Sequence, residues 1–74
     1  MNNFPSKEIV EGLCKQYPQG TRVKLVNMND LYSTLNAGDL GTVKFVNDIG
    51  TLFCKWDNGS SLGVVYGEDS VKKL

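Results

Sequence analysis

Histidine is absent from this sequence. That removes the commonest general base and a common metal ligand, and with them most hydrolase arrangements. Cysteine is scarce: Cys14 and Cys54 stand far apart and match no metal-ligand spacing. The expectation for both is a small, buried, apolar side chain in a reducing cytoplasm, with a disulfide between them the lesser alternative. No stretch approaches the roughly 18 apolar residues that would span a bilayer. The start, Met1-Asn2-Asn3-Phe4-Pro5, has neither the charge nor the apolar run of a secretion signal. Excess charge is missing as well. Eight Lys and Arg face eight Asp and Glu, and no like-charge run is longer than the pair Lys72-Lys73. The footprint of a general nucleic-acid binder is therefore not present in the net charge, although a locally basic face remains compatible with it.

What is present fits one small domain of 74 residues. A chain of this size buries only about 60% of its unfolded surface. Aromatic residues help, and Phe4, Tyr17, Tyr32, Phe45, Phe53, Trp56 and Tyr66 run the whole length. Residues 1–17 read as an arm followed by an amphipathic helix. Ser6 is an N-cap and Glu8 a first-turn acid, while Ile9, Val10, Leu13, Cys14 and Tyr17 form a stripe at helical period. Gly12 weakens that helix and Pro18 stops it. At about three turns it must dock, either on its own domain or on a second subunit.

Residues 18–74 read as β structure. Thr21–Val26 alternates with Val23 and Leu25 inward, and further strands are expected over Thr42–Val46, Thr51–Trp56, Ser60–Val65 and Ser70–Lys73, the last with Val71 inward. Between the first two lies a long polar loop, Asn27–Asp39, which Met28, Leu31, Tyr32 and Leu35 are placed to pin. Turn length fixes the register of the middle strands. A three-residue Asp57-Asn58-Gly59 turn, Gly59 left-handed, pairs Trp56 with Ser60, Cys54 with Leu62 and Leu52 with Val64. An even loop over Asn47–Gly50 sets Phe45 against Leu52 and Val43 against Cys54. The expected inner face is thus Val43, Phe45, Leu52, Cys54, Trp56, Leu62 and Val64. Phe53 is left pointing outward, beside Lys44 and opposite Gly63. There it covers the glycine, receives the helix, or stands exposed as a binding aromatic. The fold class implied is mainly β: a small, SH3-like, five-stranded, partly open barrel with one short N-terminal α-helix.

Gly20-Thr21-Arg22-Val23, Gly38-Asp39-Leu40-Gly41-Thr42-Val43, Trp56-Asp57-Asn58-Gly59-Ser60, Tyr66-Gly67 and Asp69 form a pattern. From about Tyr17 to Leu74 it closely resembles the bacterial family catalogued as domain of unknown function 4314. That resemblance implies an SH3-type barrel and no established activity. The same skeleton is similar to the Mib/Herc2 domain of ubiquitin ligases, a barrel that helps recognise protein partners there. Shared residues of this kind are turn glycines and core positions, so they carry fold further than function.

No catalytic set emerges, and an enzyme is not expected. The carboxylates Asp30, Asp39, Asp48, Asp57, Glu68 and Asp69 all fall in turns, where such side chains bond nearby backbone. Burial disfavours the thiolate of Cys54. The glycine-rich stretches fit neither the P-loop nor the dinucleotide pattern. Periodicity gives Trp56 a core or rim role. No cofactor or metal is expected. The candidate partner surface is Asn29, Asp30, Tyr32, Asp57, Asn58 and Tyr66, on loops that border a groove in SH3-like barrels; the alternative is that Tyr32 and Tyr66 close the barrel ends. That surface would bind a protein or peptide. A second candidate is an outward basic stripe, Arg22, Lys24, Lys44 and Lys55, which would bind nucleic acid weakly. A dimerising role for the helix stripe is the third, so the chain is expected as monomer or homodimer.

Overall fold

The computed structural model describes residues 5–29 and 35–74. The helix α1 spans Lys7–Gln16. It starts where expected: the Ser6 hydroxyl accepts the Ile9 N–H at 3.3 Å, and Glu8 lies in the first turn. It ends where Tyr17 N–H donates to the Leu13 carbonyl at 2.8 Å, one residue before Pro18. No helix here is long and apolar enough to cross a membrane, among the described residues.

Five strands follow: β1 Arg22–Asn27, β2 Leu40–Val46, β3 Leu52–Trp56, β4 Gly63–Val64 and β5 Ser70–Lys73. They form one antiparallel sheet in the order β4-β3-β2-β1-β5. The architecture is mainly β, one sheet that is not closed, plus one short helix. A flat sheet would hold its edges β4 and β5 four strand spacings apart, about 19 Å. The connection between them, however, folds into a turn: Glu68 and Asp69 N–H both donate to the Val65 carbonyl, at 3.1 and 2.9 Å. So short a link requires the sheet to roll, bringing its two edges toward each other around the core.

That core is Tyr17, Val23, Leu25, Leu35, Val43, Leu52, Cys54, Trp56 and Val64, with Leu13, Met28, Val46, Leu62 and Val71 packed against it. Val71 pairs with Leu25 and points inward as the alternation required. Met28 and Leu35 do pin the long loop; Leu31 and Tyr32 lie outside the described residues. The Trp56 turn also has its expected register. Trp56 N–H donates to Ser60 at 2.8 Å, Gly59 has φ +93°, and Leu52 pairs with Val64. Trp56 is only 1% exposed, and its indole N–H reaches the Leu62 carbonyl at 2.9 Å.

Three expectations are corrected. Phe45 is not part of the inner face. The register shifts between Val43 and Phe45, so Val43 pairs with Cys54 as expected but Phe45 pairs with Phe53 and Val46 with Leu52. The extra residue of a β-bulge reverses every side chain beyond it: Phe45 turns out, 54% exposed, and Val46 takes its place against the core. Second, Cys14 is exposed; only Cys54 is buried, and both are free thiols. Third, the strand expected over Ser60–Val65 is reduced to β4. The expected pairing of Cys54 with Leu62 is therefore absent from the ladder, and the Leu62 carbonyl accepts the Trp56 indole N–H instead.

The helix docks on the chain's own sheet, through part of its stripe. Leu13 packs against the core and Tyr17 enters it, while Ile9 and Cys14 stay exposed. A Cβ added to Gly50, in the β2–β3 turn, would lie 2.8 Å from Pro5 and 3.4 Å from Leu13, so the helix rests over that end of the hairpin.

Candidate functional site

Leu52 faces α1 and the core, so Phe53, the next residue, faces away from both. The two sides of the sheet give two separate surfaces.

On the inner side, between α1 and the β4–β5 connection, lies an open groove of about 600 Å³. Leu13, Tyr17, Leu52, Val64 and Val71 supply its apolar part, and Gln16, Asn27, Glu68 and Asp69 its polar part. Tyr66, 45% exposed, stands on its rim. Asp69 holds this end together. Its Oδ1 accepts the Asn29 N–H at 2.7 Å and its Oδ2 the Val65 N–H at 3.0 Å. One carboxylate thus ties the end of β1 to the end of β4, using charge-assisted bonds of the stronger kind.

On the outer side, Phe45 and Phe53 stack with centroids 4.7 Å apart and planes 18° off parallel. Phe53 pairs with Gly63, and its ring comes within 3.7 Å of where a Gly63 Cβ would stand. The row therefore runs Phe45, Phe53, Gly63 across β2, β3 and β4. Of the three roles open to Phe53, covering the glycine is the one observed, with a second phenyl ring laid against it. The neighbouring outward row is Arg22, Thr42 and Lys55, and the next carries Lys24 beside Lys72. Lys44, in the bulge, and Lys55 line one shallow depression with Thr42.

Not every residue of the expected basic stripe offers a free charge. Arg22 donates to both carboxylate oxygens of Asp57, at 2.8 and 2.7 Å, and to the Thr42 hydroxyl at 2.9 Å. The pair joins a residue expected to bind nucleic acid to one expected to bind protein. Hydrogen bonding to Arg22 holds the Asp57 carboxyl below its usual range, and the same bond raises the Arg22 guanidinium. Both side chains are about half exposed, 42% and 55%, so the pair adds little stability. Asn58 is also engaged, its Oδ1 accepting the Ser60 N–H at 2.9 Å within the turn. Lys24, Lys44 and Lys55 are exposed and form no ion pair among the described residues.

The expected partner surface is thus divided. Tyr66 and Asp69 line the groove; Asn29 reaches it only through Asp69, to which its backbone N–H donates. Asp57 and Asn58 follow β3, whereas Tyr66 lies by Gly50, which precedes it; the length of the strand separates them. Asp30 and Tyr32 lie outside the described residues. Cys54 is no candidate nucleophile, since burial pushes its thiol up to about 11.

Two contributors are not legible in the sequence. Phe45 falls on the core face by alternation, because a bulge leaves no mark in a period of two. Asp69 has the look of an ordinary turn acid; nothing local shows that its second oxygen reaches a residue forty positions away. A third feature is legible. None of the five strands contains Asp or Glu, while Arg22, Lys24, Lys44, Lys55, Lys72 and Lys73 all lie in strands. Net neutrality conceals a sheet of one sign.

A family model described as Domain of unknown function (DUF4314) matches residues 6–74, helix and sheet together. No curated protein and no solved structure matches the chain.

Proposed function

The chain belongs to the family described as Domain of unknown function (DUF4314), and from that premise we propose that it is a non-catalytic module that binds a protein or peptide in the groove beneath α1. The observation that carries this reading is the groove itself: an apolar floor, a polar rim, and a half-exposed tyrosine between them. Binding pockets combine mostly apolar walls with a few placed polar groups. Tyrosine suits such a rim because its ring provides area and its hydroxyl a directional bond. A peptide side chain entering beside Tyr66 would meet Leu13 and Val71, with Gln16 and Glu68 within reach of its backbone. This reading keeps Tyr66 of the expected surface, with Asn29 tied beside it through Asp69, and releases Asp57, which is bonded to Arg22, and Asn58, which serves its own turn. An exposed free thiol at Cys14 suits a reducing compartment, so we assign the module to the cytoplasm.

Selection from a random peptide display library against the immobilised protein tests this. Selected peptides are expected to lose about tenfold or more in affinity for the Tyr66→Ala variant, as at an interface hot spot, and to bind the Asp57→Ala variant unchanged. Peptides that bind Tyr66→Ala as well as the parent would place the interface elsewhere.

A further inference from the structure

The outer face of the sheet is a separate surface, which the peptide reading leaves unused. We propose that it binds single-stranded nucleic acid, with a base stacked on Phe45 and phosphates held by Lys24, Lys44 and Lys55.

Three observations converge on that occupant. The first is charge. Every carboxylate of the described residues lies in the helix or the connections, and the strands carry cations alone. Asp57, the acid adjoining this face, is already bonded to Arg22. A surface with this segregation attracts a polyanion even though the chain is neutral overall. The second is the aromatic row. Phe45 is more than half exposed and is held in place by its stack on Phe53, which in turn lies on Gly63. A supported ring of this kind needs little ordering to accept a base, and stacking on aromatic side chains is the usual sequence-tolerant contact to single strands. The third is space. The chain alongside the bulge is Gly20, whose N–H donates to the Val43 carbonyl at 2.8 Å and which brings no side chain. Gln19, Gly20, Thr42, Lys44 and Lys55 there border a depression of about 340 Å³.

Single strands fit better than duplex because a duplex keeps its base faces stacked internally and offers Phe45 nothing to stack on. A protein partner fits less well, since lysine is depleted from the centres of protein interfaces and here lysines adjoin the exposed ring directly.

The test is fluorescence anisotropy with a labelled thymidylate oligomer of about 15 nucleotides, its uridylate counterpart, and a duplex of equal length, each at low and moderate salt. Either single strand, or both, is expected to bind more tightly than the duplex. Phe45→Ala is expected to weaken single-strand binding about tenfold, while Phe45→Tyr, which keeps the ring, retains it. The double variant Lys44→Ala with Lys55→Ala is expected to weaken binding and to flatten the salt dependence by about 0.7 log units for each phosphate no longer neutralised. The control pair Lys7→Ala with Lys15→Ala removes the same charge from α1 and is expected to change neither. Thermal melts establish that each variant is folded. Absence of binding at low salt would overturn the proposal, as would duplex binding equal to single-strand binding, indifference to Phe45→Ala, or an equal loss in the control pair. A protein partner captured through Phe45 without any nucleic-acid binding would overturn it too. The Tyr66→Ala variant is expected to bind the oligomers normally, so failure of this proposal and failure of the peptide reading are separable.

Discussion

Trp56 owes its position to a residue with no side chain. A Cβ placed on Gly41, its partner across the ladder, would lie 2.6 Å from the indole Cε3 and 2.9 Å from Cδ2. The indole lies directly on the β2 backbone, closer than any larger residue allows. Gly41→Ala is therefore expected to force the ring off its seat, straining the bond from its N–H to Leu62. Overpacking of this kind costs typically 1–3 kcal/mol, about 2 kcal/mol here. Urea unfolding followed by the Trp56 fluorescence measures it, and an unchanged midpoint would mean that the indole does not rest there. Of the two glycines before and within β2, Gly38 takes the positive φ of a turn, whereas Gly41 serves packing. The only tryptophan is, by the same contact, committed to the interior rather than to recognition.

At the scale of elements, α1 is more weakly built than its stripe implies. Its caps are good at both ends, yet no helix residue is fully buried, and Gly12 sits in its middle. An added Cβ at Gly12 would meet nothing within 4 Å. Gly12→Ala is thus expected to stabilise the protein by up to about 1 kcal/mol through helix propensity alone, raising the melting temperature by roughly 4–8 °C for a domain of this size. Calorimetry checks it; a lower melting temperature would mean that the open face at Gly12 is one the fold needs. The β2 bulge is the element with the larger functional consequence. It keeps Val43 and Val46 both inward while exporting Phe45, and so creates the aromatic pair on the outer face. The edges are protected by different means: β4 has only two residues, and β5 carries Lys72 and Lys73.

For the molecule as a whole, the rolled sheet is an open structure held at one end by Asp69. Its two bonds join Val65, just past one edge strand, to Asn29, past the strand next to the other edge. Asp69→Ala is expected to cost about 2 kcal/mol, in the range for hydrogen bonds to charged groups, and to speed hydrogen exchange at the Asn29 and Val65 amides before others. Equal protection in the variant would show that the sheet holds its curvature without this link. The groove opens beside the same carboxylate, so the variant is also expected to weaken any ligand held there.

The helix and its caps, the identity of the strands, the register at Trp56 and the outward placement of Phe53 are all legible in the bare chain. Each follows from short-range rules: helical spacing, alternation and turn length act within a few residues of one another. The segregation of charge is legible too, since every acid falls outside the strands. The rest exists only in the folded molecule. A bulge shifts one strand by a residue and leaves no mark in a period of two, so alternation alone misplaces Phe45. Rolling of the sheet sets which loops adjoin, so Asp69 joins Asn29 to Val65, next to Tyr66, while Asp57 and Asn58 are carried to the far end of β3. And the reach of Asp69 to Asn29 depends on that rolling, because residues so distant in the chain meet only once the sheet has curled.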